Sequence, residues 1–321
     1  MLDYNGDLMG PMNDEQGLEQ GGKNSSEYYQ LSLDQSSKLE VCMLGNTISS
    51  IGQADDTLLL SNDIFALYYL LILTLIFCQK YQVELSAEKT VLQVFAPRNY
   101  DCNALPNPIE VNGSKIPFSS ETEHVGIIRN ISGNLPSILA RFSAHRKALA
   151  GVLHGGLARG HRANPMMSVR VEKLYATPVL LSGLGSLILS SKEINMIDHH
   201  YRETLRQLLR LHKNSPRCAV YFLAGSLPGI ALVHLRQLNL FGMISRLNST
   251  NLLHKHASNL LYSSNNLRGS WFKQILNLTH LYDLPQPRKI FNNPLKKEHF
   301  KSLVKKKVVS YWEIVLRNVA E

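Results

Sequence analysis

Residues 64–78 form an unbroken apolar run in which Thr74 is the only clearly polar side chain. Few destinations suit such a stretch. A helix needs roughly 20 residues to cross a bilayer, and Asp63 before the run and Gln79-Lys80 after it end it short of that length. The segments on either side alternate apolar and polar residues as strands do. A helix buried in a globular fold is therefore expected, running to about Tyr81, with a membrane segment as the lesser reading. Ser61, Asn62 and Asp63 stand where this helix begins, and all three are good N-cap residues.

Around the run the pattern is mixed. β-Branched and aliphatic residues at 47–51 and 57–60 flank Gln53-Ala54-Asp55-Asp56, which reads as a hairpin with acids near its tip. Residues 82–85 and 90–95 read as short strands around Ser86-Ala87-Glu88-Lys89. A second hairpin pairs 109–111 with 115–118 across Asn112-Gly113, a dipeptide that tolerates positive φ. Together these pieces predict an α+β domain with a small antiparallel sheet. Gly133, Asn134 and Pro136 interrupt the apolar pattern, and beyond them the period becomes helical. Helices are expected at 137–154, 192–212 and 229–247. In the middle one Ile194, Ile197, Tyr201, Leu205 and Leu208 share a face, and Ser190 with Glu193 has capping-box spacing. Its neighbouring face carries Arg202, Arg206, Arg210 and Lys213, a stripe suited to a phosphate backbone or simply to solvent.

Charge separates along the chain. Residues 1–60 hold ten acids and two bases, 61–140 seven and five, and 141–321 eight and twenty-seven, so a net +9 conceals a +19 second half. That half is suited to gathering a polyanion, and its tail from Lys289 includes Lys305-Lys306-Lys307 with Tyr311 and Trp312 nearby. Cys42, Cys78, Cys102 and Cys218 are scattered without zinc spacing, so reduced intracellular thiols are the expectation, nuclear or cytoplasmic. The N-terminal residues lack the basic-then-apolar pattern of a secretory signal.

The Asp55-Asp56 pair is the most chemically pointed feature. On a regular strand adjacent side chains face opposite ways, so both can approach one cation only where the backbone turns. Two close carboxylates repel, and a divalent metal relieves this; Mg²⁺ in particular takes few carboxylates together with substrate phosphates. Alone, the pair is a weak signal. It gains weight from its neighbours, because four motifs stand in an order that resembles the palm of reverse transcriptases of non-LTR retrotransposons. Glu19-Gln20-Gly21-Gly22-Lys23-Asn24-Ser25-Ser26 resembles that family's Q-G-x-x-x-S motif. Gln53-Ala54-Asp55-Asp56 resembles its x-A-D-D metal motif, and the segment ending Glu88-Lys89-Thr90 its Lys-Thr pair. His124-Val125-Gly126-Ile127 resembles its H-L-G-I primer-grip turn.

The resemblance implies RNA-directed DNA polymerisation by two-metal nucleotidyl transfer, with an RNA template, a DNA primer and deoxynucleoside triphosphates as partners. Asp55 and Asp56 would hold Mg²⁺. Gln20, Gly21, Gly22 and Ser25 would line the nucleotide and template site, and Lys89 would lie near the triphosphate as a proton donor. His124, Val125 and Gly126 would form the primer grip. It further implies a partial palm over residues 1–130, a helical thumb-like region over 131–250 and a basic extension over 251–321.

Departures accompany the match. Only nineteen residues precede Gln20, and none of Asp3, Asp7 or Asp14 lies in the apolar strand that supplies the family's other metal-binding aspartate. The expectation is an N-terminally truncated chain, without fingers or endonuclease part and inactive alone. Gln53 stands where an aromatic is usual. The competing expectations are a non-catalytic RNA- or DNA-binding remnant and, least favoured, a membrane-anchored protein.

Overall fold

The computed structural model describes residues 50–53, 56–80, 84–95, 109–111, 113–124, 126–152, 164–262 and 270–319, together with the backbone of four short strands before them. The fold is mixed α+β and mostly helical, with small antiparallel sheets. Two compact units meet in sequence between Ser86 and Ala87, so positions 130 and 250 both fall inside the second.

In the first unit β1 (Asp3–Tyr4) pairs with β2 (Asp7–Leu8), β3 (Val41–Met43) with β4 (Asn46–Ile48), and β5 (Ser50–Gln53) with β6 (Asp56–Leu59). Each is a two-stranded hairpin, and among the described residues no third strand joins any of them. Helix α1 (Ile64–Lys80) follows. Asp63 caps it, its Oδ2 accepting from the Ala66 amide at 2.9 Å. Thr74, the polar exception, donates its hydroxyl to the Leu70 carbonyl at 2.8 Å and so needs no outside partner.

The helix matches expectation; its burial does not. Leu70, Leu71 and Cys78 are buried, whereas Phe65, Tyr69, Ile72 and Ile76 are at least half exposed. Those four recur at helical spacing, so one whole face is open. The described strands of this unit are two to four residues long, a small apolar surface beside a helix that is apolar all round.

The second unit opens with β7 (Glu110–Val111) paired to β8 (Ser114–Lys115), and β9 (Glu121–His124) paired to β10 (Ile127–Asn130). Gly113 and Gly126 supply φ of 75° and 69° in the two tight turns. The strand expected at 90–95 is absent. That segment makes a single parallel bridge, Leu92 to Phe118, and residues 84–89 are irregular and then turn. Two hydrogen bonds hold it: Leu92 N to Pro117 O at 3.0 Å and Ser119 N to Leu92 O at 2.9 Å.

Helices build the rest: α2 (Leu135–Val152), α3 (Pro165–Val171), α4 (Thr177–Leu181), α5 (Ser191–Leu208), α6 (Arg217–Ala224), α7 (Gly229–Ile244), α8 (Leu252–Tyr262), α9 (Trp271–Leu281), α10 (Pro287–Asn292) and α11 (Lys297–Asn318). Between α3 and α4 the chain widens into a π turn, Glu172–Ala176. Pro178 lies just beyond it; a proline gives no amide to a carbonyl four residues back and crowds that carbonyl, which favours a wider turn. Two apolar clusters fill the unit. One gathers Ile138, Phe142, Leu180, Ile197, Tyr201, Leu205 and Tyr221. The other gathers Leu238, Phe241, Ile275, Phe300, Val304, Val308 and Trp312. Helix α7 contributes to both, Val233 to the first and Leu238 and Phe241 to the second, and its apolar circumference is buried as that of α1 is not.

Candidate metal and nucleic-acid site

The β5–β6 hairpin pairs the residues on either side of the Ala54-Asp55 step. Ser50 faces Leu59, Ile51 faces Leu58, Gly52 faces Thr57 and Gln53 faces Asp56, so that only Ala54 and Asp55 stand between the last pair in the chain. Asp56 is exposed at the first position of β6. Asp55 lies outside the described residues, as do Gln20, Gly21, Gly22, Ser25 and Val125. Carboxylate oxygens suit Mg²⁺ in kind, but among the described residues no three His, Cys, Asp or Glu side chains gather as metal ligands. The described part of the hairpin tip thus contributes one carboxylate, which is not a complete site.

Lys89 belongs to the second unit, where it is exposed at the end of the turn 87–89. His124 closes β9 opposite Ile127 and is half-buried. The adjoining Gly126 is required by its φ of 69°; a Cβ there would also stand 3.1 Å from the flexible end of Arg141 on α2, which can give way. Arg141 is a neighbour that sequence spacing did not indicate.

The expected arginine stripe does not run along one helix. Helix α5 stops at Leu208, and Arg210 takes a left-handed φ of 55°, so Arg210 and Lys213 lie beyond its end. The other two cations are engaged internally. Arg202 pairs with Asp198 at 3.3 Å, and Arg206 holds both Glu203 oxygens at 2.6 and 2.7 Å. Asp198 is almost wholly buried and also accepts from the Tyr221 hydroxyl at 2.8 Å while pairing with Arg217 at 3.2 Å. Burial, reinforced by this carboxylate, pushes the Tyr221 phenol far up. The helix start agrees with expectation: Ser190 and Glu193 close a reciprocal capping box.

Sequence reasoning gave no warning of a buried polar chain centred on the π turn. Glu172 and His145 are both fully buried, with His145 Nε2 3.2 Å from Glu172 Oε1 and Thr177 donating to the same oxygen at 2.7 Å. His145 Nδ1 lies 3.1 Å from His200 Nε2, and Phe142 stacks on the His200 ring at 4.0 Å. Burial first, then His145, Arg146 and His199, lower the His200 pKa to about 4. Glu172 Oε2 has no partner among the described residues. Helix α2, the π turn and α5 are joined through this chain; residues 27 and 28 apart in sequence leave no spacing signal that could announce it. A second buried pair sets His234 Nδ1 2.7 Å from the Tyr282 hydroxyl, which accepts from Trp312 Nε1 at 3.0 Å. Burial lowers the His234 pKa to about 4.

No protein family, curated protein or solved structure matches this chain. Among the described residues no single helix is long and apolar enough to cross a membrane.

Proposed function

We propose that the chain is a reverse transcriptase polypeptide of the non-LTR retrotransposon kind, its N-terminal α+β part corresponding to a partial palm and its helices to a thumb-like region. The observation that carries this reading is the β5–β6 register. It pairs Gln53 with Asp56 in antiparallel strands, which supports the reading because two adjacent aspartates can reach one cation only near a turn of the backbone. The order of the Gln-Gly, Asp-Asp, Lys-Thr and His-x-Gly motifs along the sequence adds specificity that none has alone. The reaction would be template-directed nucleotidyl transfer.

A second reading is favoured by the charge distribution: a non-catalytic protein that holds RNA or DNA through its +19 half. Primer extension separates the two. The full chain is given Mg²⁺, a poly(A) template, an oligo(dT) primer and labelled dTTP. Incorporation lost in Asp55→Ala and Asp56→Ala supports the polymerase. Incorporation no greater than that of an Asp55→Ala/Asp56→Ala double variant, with RNA still bound, removes the enzyme reading for this chain and leaves the binding one.

A further inference from the structure

Across the second unit, cations that serve the fold are engaged. Lys173 donates to the Ala224 and Gly225 carbonyls at the end of α6. Lys307 pairs with Asp283, and Arg202, Arg206 and Arg217 are held by Asp198 and Glu203. Helix α11 carries Lys307 but also cations outside this pattern. Phe300, Val304, Val308, Trp312 and Leu316 form its buried ridge at four-residue spacing. One residue beyond the ridge runs a second row, Lys297, Lys301 and Lys305, all exposed and in no ion pair with a described residue. Lys306 is exposed beside it.

Like charges at i and i+4 repel, so this row works against the helix that carries it. A polyanion would relieve the repulsion. From Lys297 to Lys305 is about 12 Å at 1.5 Å per residue, the axial length of three to four nucleotides of one strand. The apolar ridge of α11 is already spent in the core, and the helix's one exposed large apolar side chain, Ile314, lies nine residues beyond Lys305, which weighs against insertion of the row into a membrane surface. Exposed acids on the helix are Glu298 and Glu313.

We propose that the Lys297–Lys301–Lys305 row of α11 is a sequence-independent docking track for the phosphodiester backbone of a nucleic-acid strand. It rests on the nucleic-acid reading above and relocates the contact from Arg202 and Arg206, whose guanidinium groups are committed internally. The row contacts phosphates and not bases, so it discriminates little between sequences.

The test is fluorescence anisotropy of the full chain with a labelled 20-nucleotide single-stranded RNA, and its DNA equivalent, across a salt series. In Lys297→Gln/Lys301→Gln/Lys305→Gln, affinity is expected to fall about tenfold or more and the salt slope to become shallower by about 2, at roughly 0.7 per lost contact. The corresponding triple arginine variant should keep wild-type binding. A scattered control of equal charge loss, Lys115→Gln/Lys192→Gln/Lys255→Gln, should bind nearly as wild type, and circular dichroism should show all three folded. If the row variant binds like wild type, or the scattered control loses as much, the track is refuted while nucleic-acid binding stands. If the wild-type chain binds neither RNA nor DNA, both readings fall. Phosphatidylserine vesicles that compete with RNA for the same lysines would overturn the choice of partner.

Discussion

His200 and His234 are held neutral by their surroundings, and the fold is acid-sensitive as a result. Each has an ordinary value of 6.5 that the folded chain lowers to about 4, by burial in both and by the neighbouring His145, Arg146 and His199 in the case of His200. Between those limits the unfolded chain takes up protons that the folded chain refuses, so the free energy of unfolding falls as pH drops from 6.5 toward 4. Above 6.5 neither group contributes any slope. The urea midpoint should therefore be steady from pH 8 to 7 and decline from pH 6 to 4.5, with a smaller decline in His234→Gln. A midpoint unchanged between pH 7 and 4.5 would contradict the burial of both rings. Neither histidine stood out in the sequence, since each acts through partners far along the chain: His145 for His200, and Tyr282 for His234.

Helices differ in what they require of their neighbours. Gly242 on α7 lies so close to α11 that an added Cβ would stand 2.2 Å from the Phe300 ring, and that ring is itself fixed in the core. Gly242→Ala is expected to destabilise the fold by about 1–3 kcal/mol through overpacking. Chemical denaturation would measure it against Gly151→Ala, where an added Cβ meets nothing within 4 Å. Equal stability in the two variants would mean that α7 and α11 pack differently. The beginnings of helices were legible because caps are local chemistry, as Asp63 at α1 and Ser190 with Glu193 at α5 both show. Their ends were less so. Arg210 adopts a left-handed conformation without being glycine, and nothing in its side chain announces that. The hairpin at Gly113 was legible for the converse reason, whereas the apolar alternation at 90–95 mimicked a strand and yielded one bridge.

On the scale of the whole molecule, the sequence indicated composition and order better than it indicated coverage. The apolar run 64–78 announced a helix correctly, but whether a helix is covered depends on how much apolar surface the rest of its unit can spare, and no window of sequence records that. At the candidate site, a hairpin around Asp56 was legible from the apolar runs on either side, although the run 47–51 divides between β4 and β5. The pairing of Arg202 with Asp198 and of Arg206 with Glu203 lies within α5 at spacings of four and three, a signal the sequence carried and the arginine stripe passed over.

In the second unit α7 belongs to both apolar clusters, and α11 reaches both, Val308 entering one and Leu316 the other. Trp312 sits where the clusters adjoin. Its ring lies 5.9 Å from the Arg217 guanidinium on α6, and its Nε1 donates to Tyr282 at the end of α9. The protein thereby carries an optical gauge of its own seam. Buried indole emits at shorter wavelength than hydrated indole, so Trp271→Phe, which leaves Trp312 as the sole tryptophan, should shift its emission to the red in one step as α11 lifts away. If the two clusters behave as one cooperative body, that step should coincide with the loss of helical ellipticity in a urea titration. A colour change that comes well before the ellipticity change would mean that α11 can leave while the remaining helices hold.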